Sequence, residues 1–378
     1  MNFDFSEEQT LLKDSVAKFI QNEYSYEARQ KNSQSDAGYC EQNWSTFAEL
    51  GWLCVPFTEE QGGIGGGPVE MMIMMEEFGK GLVVEPYFSS VVLSGGLLAK
   101  SGNESQQAEL ISGIIDGSKK ISFAYNESQA RFDLHNVATK AEKNDQGYVI
   151  NGNKSLVLHG ASADLLIVSV RTSGKSLDSD GITLLLVPAN AEGVTVKATR
   201  TLDGQRAAEV QFSNVAVGSD ALLGEEGKAA TVIDQVADEA MLALCAEAVG
   251  SMEKLYKDTV AYTKERKQFG VAISGFQALQ HRMVDMFTAH EQCKSLLLRA
   301  VLSYAAGDAD VAKNIAALKY QVGVSGQGVA HEAVQIHGGM GMTDEMSVGM
   351  YLKRINMINT LFGNADYHLQ RFATLSAA

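Results

Sequence analysis

Apolar positions recur every three or four residues through the first third of the chain. In "TLLKDSVAKFI" (residues 10–20), Leu11, Leu12, Val16, Phe19 and Ile20 share one helical face, and Ser6 with Gln9 forms a capping box ahead of them. A glycine-rich break, "EEQGGIGGGPVE", interrupts the pattern, and Pro68 predicts the opening of the next helix, "VEMMIMMEEFGKGL". From residue 119 the texture changes to short β-type runs, "ISFAY", "GYVINGNKSLVL", "ADLLIVSVRT", "GITLLLVP", "GVTVKAT" and "AAEVQFSNVAV", separated by Gly, Asn and Asp turns. After "LLGEEGKAA" the helical period returns and runs to the end in segments long enough for a bundle. The expected division is 1–118 helical, 119–222 β and 223–378 helical, with no internal repeat.

A chain of 378 residues, 45% hydrophobic and 20% charged, can bury a large core. The formal net charge of -15 leaves no basic face, which argues against nucleic acid or an anionic membrane as partner. Cys40, Cys54, Cys245 and Cys293 show no CxxC or His-rich spacing, so neither a zinc site nor a disulfide framework is expected, and a reducing compartment, the cytoplasm, is. The start "MNFDFSEEQ" lacks a basic region followed by an apolar run, so no secretory signal is expected. No run approaches the 18 apolar residues of a membrane span.

The stretch "HGGMGM" (residues 337–342) carries three glycines in four positions. A dinucleotide fingerprint needs its glycines directly after a strand, whereas these lie between helical segments, so the loop is no Rossmann loop. By pattern alone it reads as a helix-to-helix turn.

Its company changes that reading. "YTKERKQFG" (262–270), "FQALQHRMVDM" (276–286) and "VQIHGGMGMTDE" (334–345) together resemble the acyl-CoA dehydrogenase family. The resemblance extends to "LGWLCVPFTEEQGGIGGG" (50–67), "GYVINGNKSLVLHGASADLLIVSVRT" (147–172) and "LLGEEGKAA" (222–230), and so spans nearly the whole chain. It implies an α+β fold: an N-terminal helical domain, a central β-barrel domain and a C-terminal four-helix bundle that makes the oligomer interface. It implies FAD as cofactor, an acyl-CoA substrate, and electron transfer to an electron-transfer flavoprotein. Arg266 and Phe269 match the family's pair at the flavin nucleotide, Arg suiting pyrophosphate through its bidentate fork. Gln277 matches a polar position facing adenosine. Gln335, Gly338 and Gly339 match the segment against the ADP half of a neighbouring subunit's FAD, where missing Cβ atoms let the backbone approach. His337 reads as structural.

The flavin-side half departs from the family. In place of "xVTEPxAGSD" the chain has "FAYNESQARFDL" (123–134), leaving Tyr125, Asn126 and Glu127 as groups near the ring. Leu156 and Leu158 stand where Trp and Thr are usual. The reaction needs a base to remove a proton alpha to the thioester, and the "YEGT" Glu that usually serves is Phe362 here, although Gly363 remains. Some relatives carry the base on the first bundle helix, but that position is Ala240, with Met241 where an Arg usually stands. Glu239, one residue away and about 100° around the helix, is the candidate base, and Asp366 a further one. Three readings stay open: a self-sufficient dehydrogenase with a relocated base, the smaller subunit of an α2β2 heterotetramer whose paralogue brings the base, and a non-catalytic binding or assembly protein. A homo-oligomer or heterotetramer is expected in either catalytic case.

Overall fold

The computed structural model describes residues 4–377; Met1–Phe3, where the acidic N-terminal stretch begins, and Ala378 lie outside it. Helices form where the apolar period predicts them. α1 (Glu7–Glu23) begins at Ser6, whose Oγ accepts from the Gln9 backbone N–H while the Gln9 side chain accepts from the Ser6 N–H, so the expected capping box forms. α2 (Tyr26–Gln34) and α3 (Glu41–Glu49) follow, and Pro68 opens α4 (Pro68–Gly81) in the first turn, where its missing N–H costs nothing. A π-helical run, Tyr87–Gly95, leads into α5 (Gly96–Ser101), α6 (Glu104–Gln106) and α7 (Ser112–Ile115). The "MMIMM" run is core, with Met72, Met74 and Met75 buried.

The chain folds as two compact units that interleave along the sequence. One comprises the chain up to Lys31, Gly67–Val83 and Met241 onward; the other comprises Asn32–Gly66 and Val84–Ala240.

The second unit is built on an eight-stranded sheet: β1 (Ile121–Ala124), β2 (Lys140–Asn144), β3 (Gly147–Leu158), β4 (Leu165–Arg171), β5 (Ile182–Pro188), β6 (Val194–Arg200), β7 (Arg206–Gly218) and β8 (Leu222–Leu223). Its order is β6-β7-β3-β2-β4-β5-β8, with β1 alongside β4 in parallel. The alternating residues of these strands meet in one core, including Ile150, Val168, Leu185 and Phe212. The expected closed barrel is not formed. Closure requires the two end strands to pair along their length, and the end strand β8 is two residues long and pairs only with β5. β2, which the sequence pattern missed, is "KAEKN", a strand with one buried residue and no apolar alternation.

In the first unit, α8 (Ala230–Glu265) continues from the second and is followed by α9 (Gln277–Ala306), α10 (Val311–His337), α11 (Val348–Thr360) and α12 (Ala365–Ala377). α10 packs against α9, α11 and α12. α4 crosses α8 so closely that a Cβ on Gly250 would stand 1.9 Å from the Glu76 carbonyl oxygen, and one on Gly79 2.0 Å from the Glu247 carbonyl oxygen. At the same crossing Ser251 Oγ donates to Gly79 O at 3.0 Å. A buried, bidentate pair ties α8 to α11: Arg354 Nε and Nη2 donate to the two Glu247 carboxylate oxygens at 2.6 and 2.7 Å.

Candidate active site

One group of expected residues gathers at one end of the bundle unit. α8 ends at Glu265, and Arg266 leads into a tight hairpin, β9 (Lys267–Gln268) and β10 (Val271–Ala272), closed by Ile273 N–H donating to Arg266 O at 2.9 Å. The turn residue Phe269 has φ +55 and is 93% exposed, a left-handed conformation unfavourable for a bulky side chain and an exposure unfavourable for an aromatic one. Local stability does not call for such a ring; an external contact does. It stands edge-on to Phe276, with ring centroids 6.2 Å apart, directly before Gln277 opens α9.

Tyr262 joins this end of α8 to the end of α10: its ring stacks on His337 at 4.2 Å. His337 donates from Nδ1 to Ala333 O at 2.7 Å, and burial lowers its pKa, so it is a neutral packing group, as expected. Beyond it α10 breaks at Gly338, with φ +61, a backbone that favours glycine. A Cβ at Gly338 or Gly339 would meet nothing within 4 Å, so this backbone is open to an approaching molecule. Gln335 and Gln277 are exposed, and Arg266 is an exposed guanidinium with no ion pair among the described residues. An exposed guanidinium, exposed carboxamides and a glycine backbone with no Cβ in the way of an approaching phosphate fit the ADP half of FAD.

Gly363 belongs elsewhere. It lies in the turn between α11 and α12 with φ +108, where its carbonyl accepts from Lys319 Nζ at 3.0 Å. Lys319 and Gln335 stand sixteen residues apart on α10, roughly 24 Å at 1.5 Å per residue. The bundle of one chain therefore separates Gly363 from the Arg266 group. The buried Lys319 ammonium also donates to Ile358 O at 2.7 Å and Asn359 O at 3.2 Å, closing the end of α11. Burial lowers this lysine to about 8. His368 donates from Nε2 to Phe362 O at 2.9 Å, and burial, with Lys319 nearby, lowers it to about 3. These buried groups hold Phe362, itself buried and at φ +56. The sequence offers one signal for Lys319: it shares a helical face with the buried Ile315 and Val322.

Of the remaining candidates, Asp366 lies in the first unit and the others in the second. Glu239 is half-buried and ion-paired to Lys100 on α5, 2.9 Å apart. Ala240 is buried at the alternative base position. Asp366 is exposed in the first turn of α12, where a helix dipole favours a carboxylate. On the flavin-side segment, Glu127 is not turned to an external ring: Lys154 Nζ stands 2.6 Å from its Oε1, and Ala138 N–H donates to Oε2 at 2.9 Å. Leu156, at φ +50, sits in a bulge where the β3–β7 register shifts between Lys154 and Val157.

Family models match the chain from end to end: the acyl-CoA dehydrogenase N-terminal domain over residues 6–118, the middle domain over 122–215 and the C-terminal domain over 230–374. This chain belongs to the acyl-CoA dehydrogenase family. It is similar to the probable acyl-CoA dehydrogenase YngJ of Bacillus subtilis (strain 168), 29% identical with 98% of each chain covered. The solved butyryl-CoA dehydrogenase of Megasphaera elsdenii superposes with a TM-score of 0.92 at 25% identity over 100% of each chain. The Tcur3481–Tcur3483 steroid ACAD superposes at 0.87 with 27% identity over 98% of each chain. As a member of this family the protein is an oxidoreductase acting on CH–CH bonds, and FAD is its cofactor. No helix among the described residues is long and apolar enough to cross a membrane.

Proposed function

We propose that this chain is one subunit of a paired acyl-CoA dehydrogenase, acting on a bulky acyl-CoA with a paralogue that supplies the base. In the reaction a base takes the proton from the carbon alpha to the thioester and a hydride leaves the beta carbon for the flavin, which passes its electrons to an electron-transfer flavoprotein. Arg266, Phe269, Gln277, Gln335, Gly338 and Gly339 hold the ADP half of a flavin belonging to the neighbouring subunit. The observation that carries the reading is the inequality of the two halves. The ADP-side residues are exposed, with the Arg266 guanidinium in no ion pair among the described residues, whereas the position expected to carry the base is the buried Phe362 and the substitute Glu239 is bound to Lys100. A base must meet its substrate unpaired in a dry pocket, and an ion-paired Glu239 does not. The similar steroid ACAD, which carries the double name Tcur3481–Tcur3483, supports both the pairing and the bulky acyl group. Four free thiols agree with a cytoplasmic setting.

The test is the anaerobic visible spectrum of the chain, purified alone and co-expressed with its paralogue, as a panel of acyl-CoAs is added. Bleaching only in the co-expressed sample supports the proposal. Bleaching by the lone chain, abolished by Glu239→Gln, establishes instead a self-sufficient enzyme with Glu239 as base; a colourless protein in both preparations establishes the assembly reading.

A further inference from the structure

Four hydrogen-bond donors converge on one buried carboxylate at the edge of a groove in the second unit. Glu127 Oε1 accepts from Lys154 Nζ at 2.6 Å and from the Thr139 N–H at 3.1 Å; Oε2 accepts from the Ala138 N–H at 2.9 Å and from Gln129 Nε2 at 2.7 Å. Lys154 is fully buried and spends its other two protons on Ser169 Oγ at 3.0 Å and Tyr125 O at 3.3 Å, so the ammonium is satisfied. The groove beside this carboxylate has a volume of about 610 Å³. It runs between the segment 127–129 with 138–139 and the outer face of β3, β7 and β6.

Burial presses on both charges, but each stabilises the other. Burial pushes the Glu127 carboxyl up, but the Lys154 charge and the hydrogen bonds from Lys154, Gln129 and Ala138 together outweigh it and hold the carboxyl below the usual carboxylate range, while burial brings Lys154 down only to about 8. The pair is therefore ionised at neutral pH. Its geometry is that of an anion cradle, one ammonium with two consecutive backbone amides and a carboxamide, filled by the chain's own side chain.

We propose that Glu127 and Lys154 are positioning residues for the flavin: this internal anion latch fixes the segment Tyr125–Ser128 on β3 and so sets the wall that the isoalloxazine ring meets. The inference rests on the reading of residues 123–134 as the flavin-side segment. The latch binds both ends of a strap, since Glu127 opens it and Ala138 and Thr139 close it. Lys154 Nζ reaches back to Tyr125 O, and Ser155 N–H donates to Asn126 O at 2.8 Å, which carries the constraint onto the residues before the latch. Only an acceptor-only group satisfies the cradle. In Glu127→Gln one terminus becomes an NH2 that points a donor at a donor on whichever side it faces.

The test uses hydrogen exchange together with FAD binding, both on the flavin-loaded enzyme with whatever partner it purifies with. In Glu127→Gln and Glu127→Ala, amide exchange across 128–139 rises, the FAD dissociation constant increases by about tenfold or more, equivalent to about 1.4 kcal/mol, and exchange in α10 is unchanged. Acetate or formate, which places a carboxylate back in the emptied cradle, restores both readouts for Glu127→Ala but not for Glu127→Gln, whose side chain still fills the space. Faster exchange with unchanged FAD affinity overturns the inference and leaves the functional reading standing; so does tighter or unaltered exchange at 128–139, or failure of both small carboxylates to rescue. A wild-type enzyme that holds no flavin overturns the functional reading, and the flavin half of the inference with it.

Discussion

Replacing Gly250 by alanine tests the α4–α8 crossing, because at this position helix propensity and packing predict opposite signs. In an unobstructed helix, Gly→Ala stabilises by about 1 kcal/mol, since the unfolded chain has less backbone freedom to lose. Here the new Cβ lies 1.9 Å from the Glu76 carbonyl oxygen and 2.7 Å from its carbon. A carbon and a carbonyl oxygen need roughly 3.2 Å, so the two helices must separate by more than about 1 Å at their closest point. The obstacle is backbone on a helix held on both sides, so the strain falls at the upper end of the 1–3 kcal/mol typical of overpacking. The net effect expected is a loss of about 2 kcal/mol in urea unfolding followed by far-UV circular dichroism. Gly328→Ala is the control: it lies in α10, and a Cβ there meets nothing within 4 Å, so it should stabilise by about 0.5–1 kcal/mol. Gly79→Ala should match Gly250→Ala, and the double variant should lose less than the two losses together, because one separation of the helices accommodates both methyl groups. Equal signs for Gly250→Ala and Gly328→Ala would refute the reasoning.

Two further outcomes follow from buried charge. Glu76 on α4 is 7% exposed, its carboxylate makes no hydrogen bond among the described residues, and burial, against the pull of Lys294, Lys80 and Lys13, raises its pKa to about 7 from 4.5. Between those values the folded chain holds a proton that the unfolded chain has released, so this group's contribution is present below pH 4.5 and is lost as pH rises through 7, by about 3 kcal/mol in all. Glu76→Gln should therefore equal wild type near pH 4.5 and exceed it progressively to pH 8; a pH-independent difference between the two sinks the account. Glu247→Gln leaves the buried Arg354 without its counter-charge and should cost about 3–5 kcal/mol, whereas Glu247→Met combined with Arg354→Met should recover most of that loss. A double variant as unstable as the single in thermal unfolding would show that the ion pair itself, rather than the uncompensated charge, carries the effect.

The charges in these predictions are the part of the molecule that local patterning conceals. Lys154, Arg354, Glu76, Glu127 and Glu247 are ordinary charged letters in the sequence, and of the buried charges only Lys319 is marked, by the apolar face it shares with Ile315 and Val322. Their partners stand far off: Lys319 on the carbonyl of Gly363, Arg354 on Glu247, Lys154 on Glu127. Glu127, which the sequence leaves as a group near the ring, has its carboxylate met by Lys154, a partner on a strand more than twenty residues away.

What the sequence by itself determined is whatever depends on neighbours in the chain. The capping box at Ser6, the start of α4 at Pro68, the six main strands and the long C-terminal helices follow from hydrogen bonds and apolar periods that close within a few residues. The family resemblance singled out Arg266, Phe269, Gln335, Gly338 and Gly339 as candidates, and the fold gathers them at one end of the bundle unit because α8 and α10 finish side by side at Tyr262 and His337. The tertiary structure alone decided that the sheet stays open, that the Gly363 turn lies a helix length from that group, and which charges are buried. Strand alternation reports which side of a strand faces the core but not what its edge pairs with, and a charge's fate depends on groups that meet only after the helices and sheet have packed.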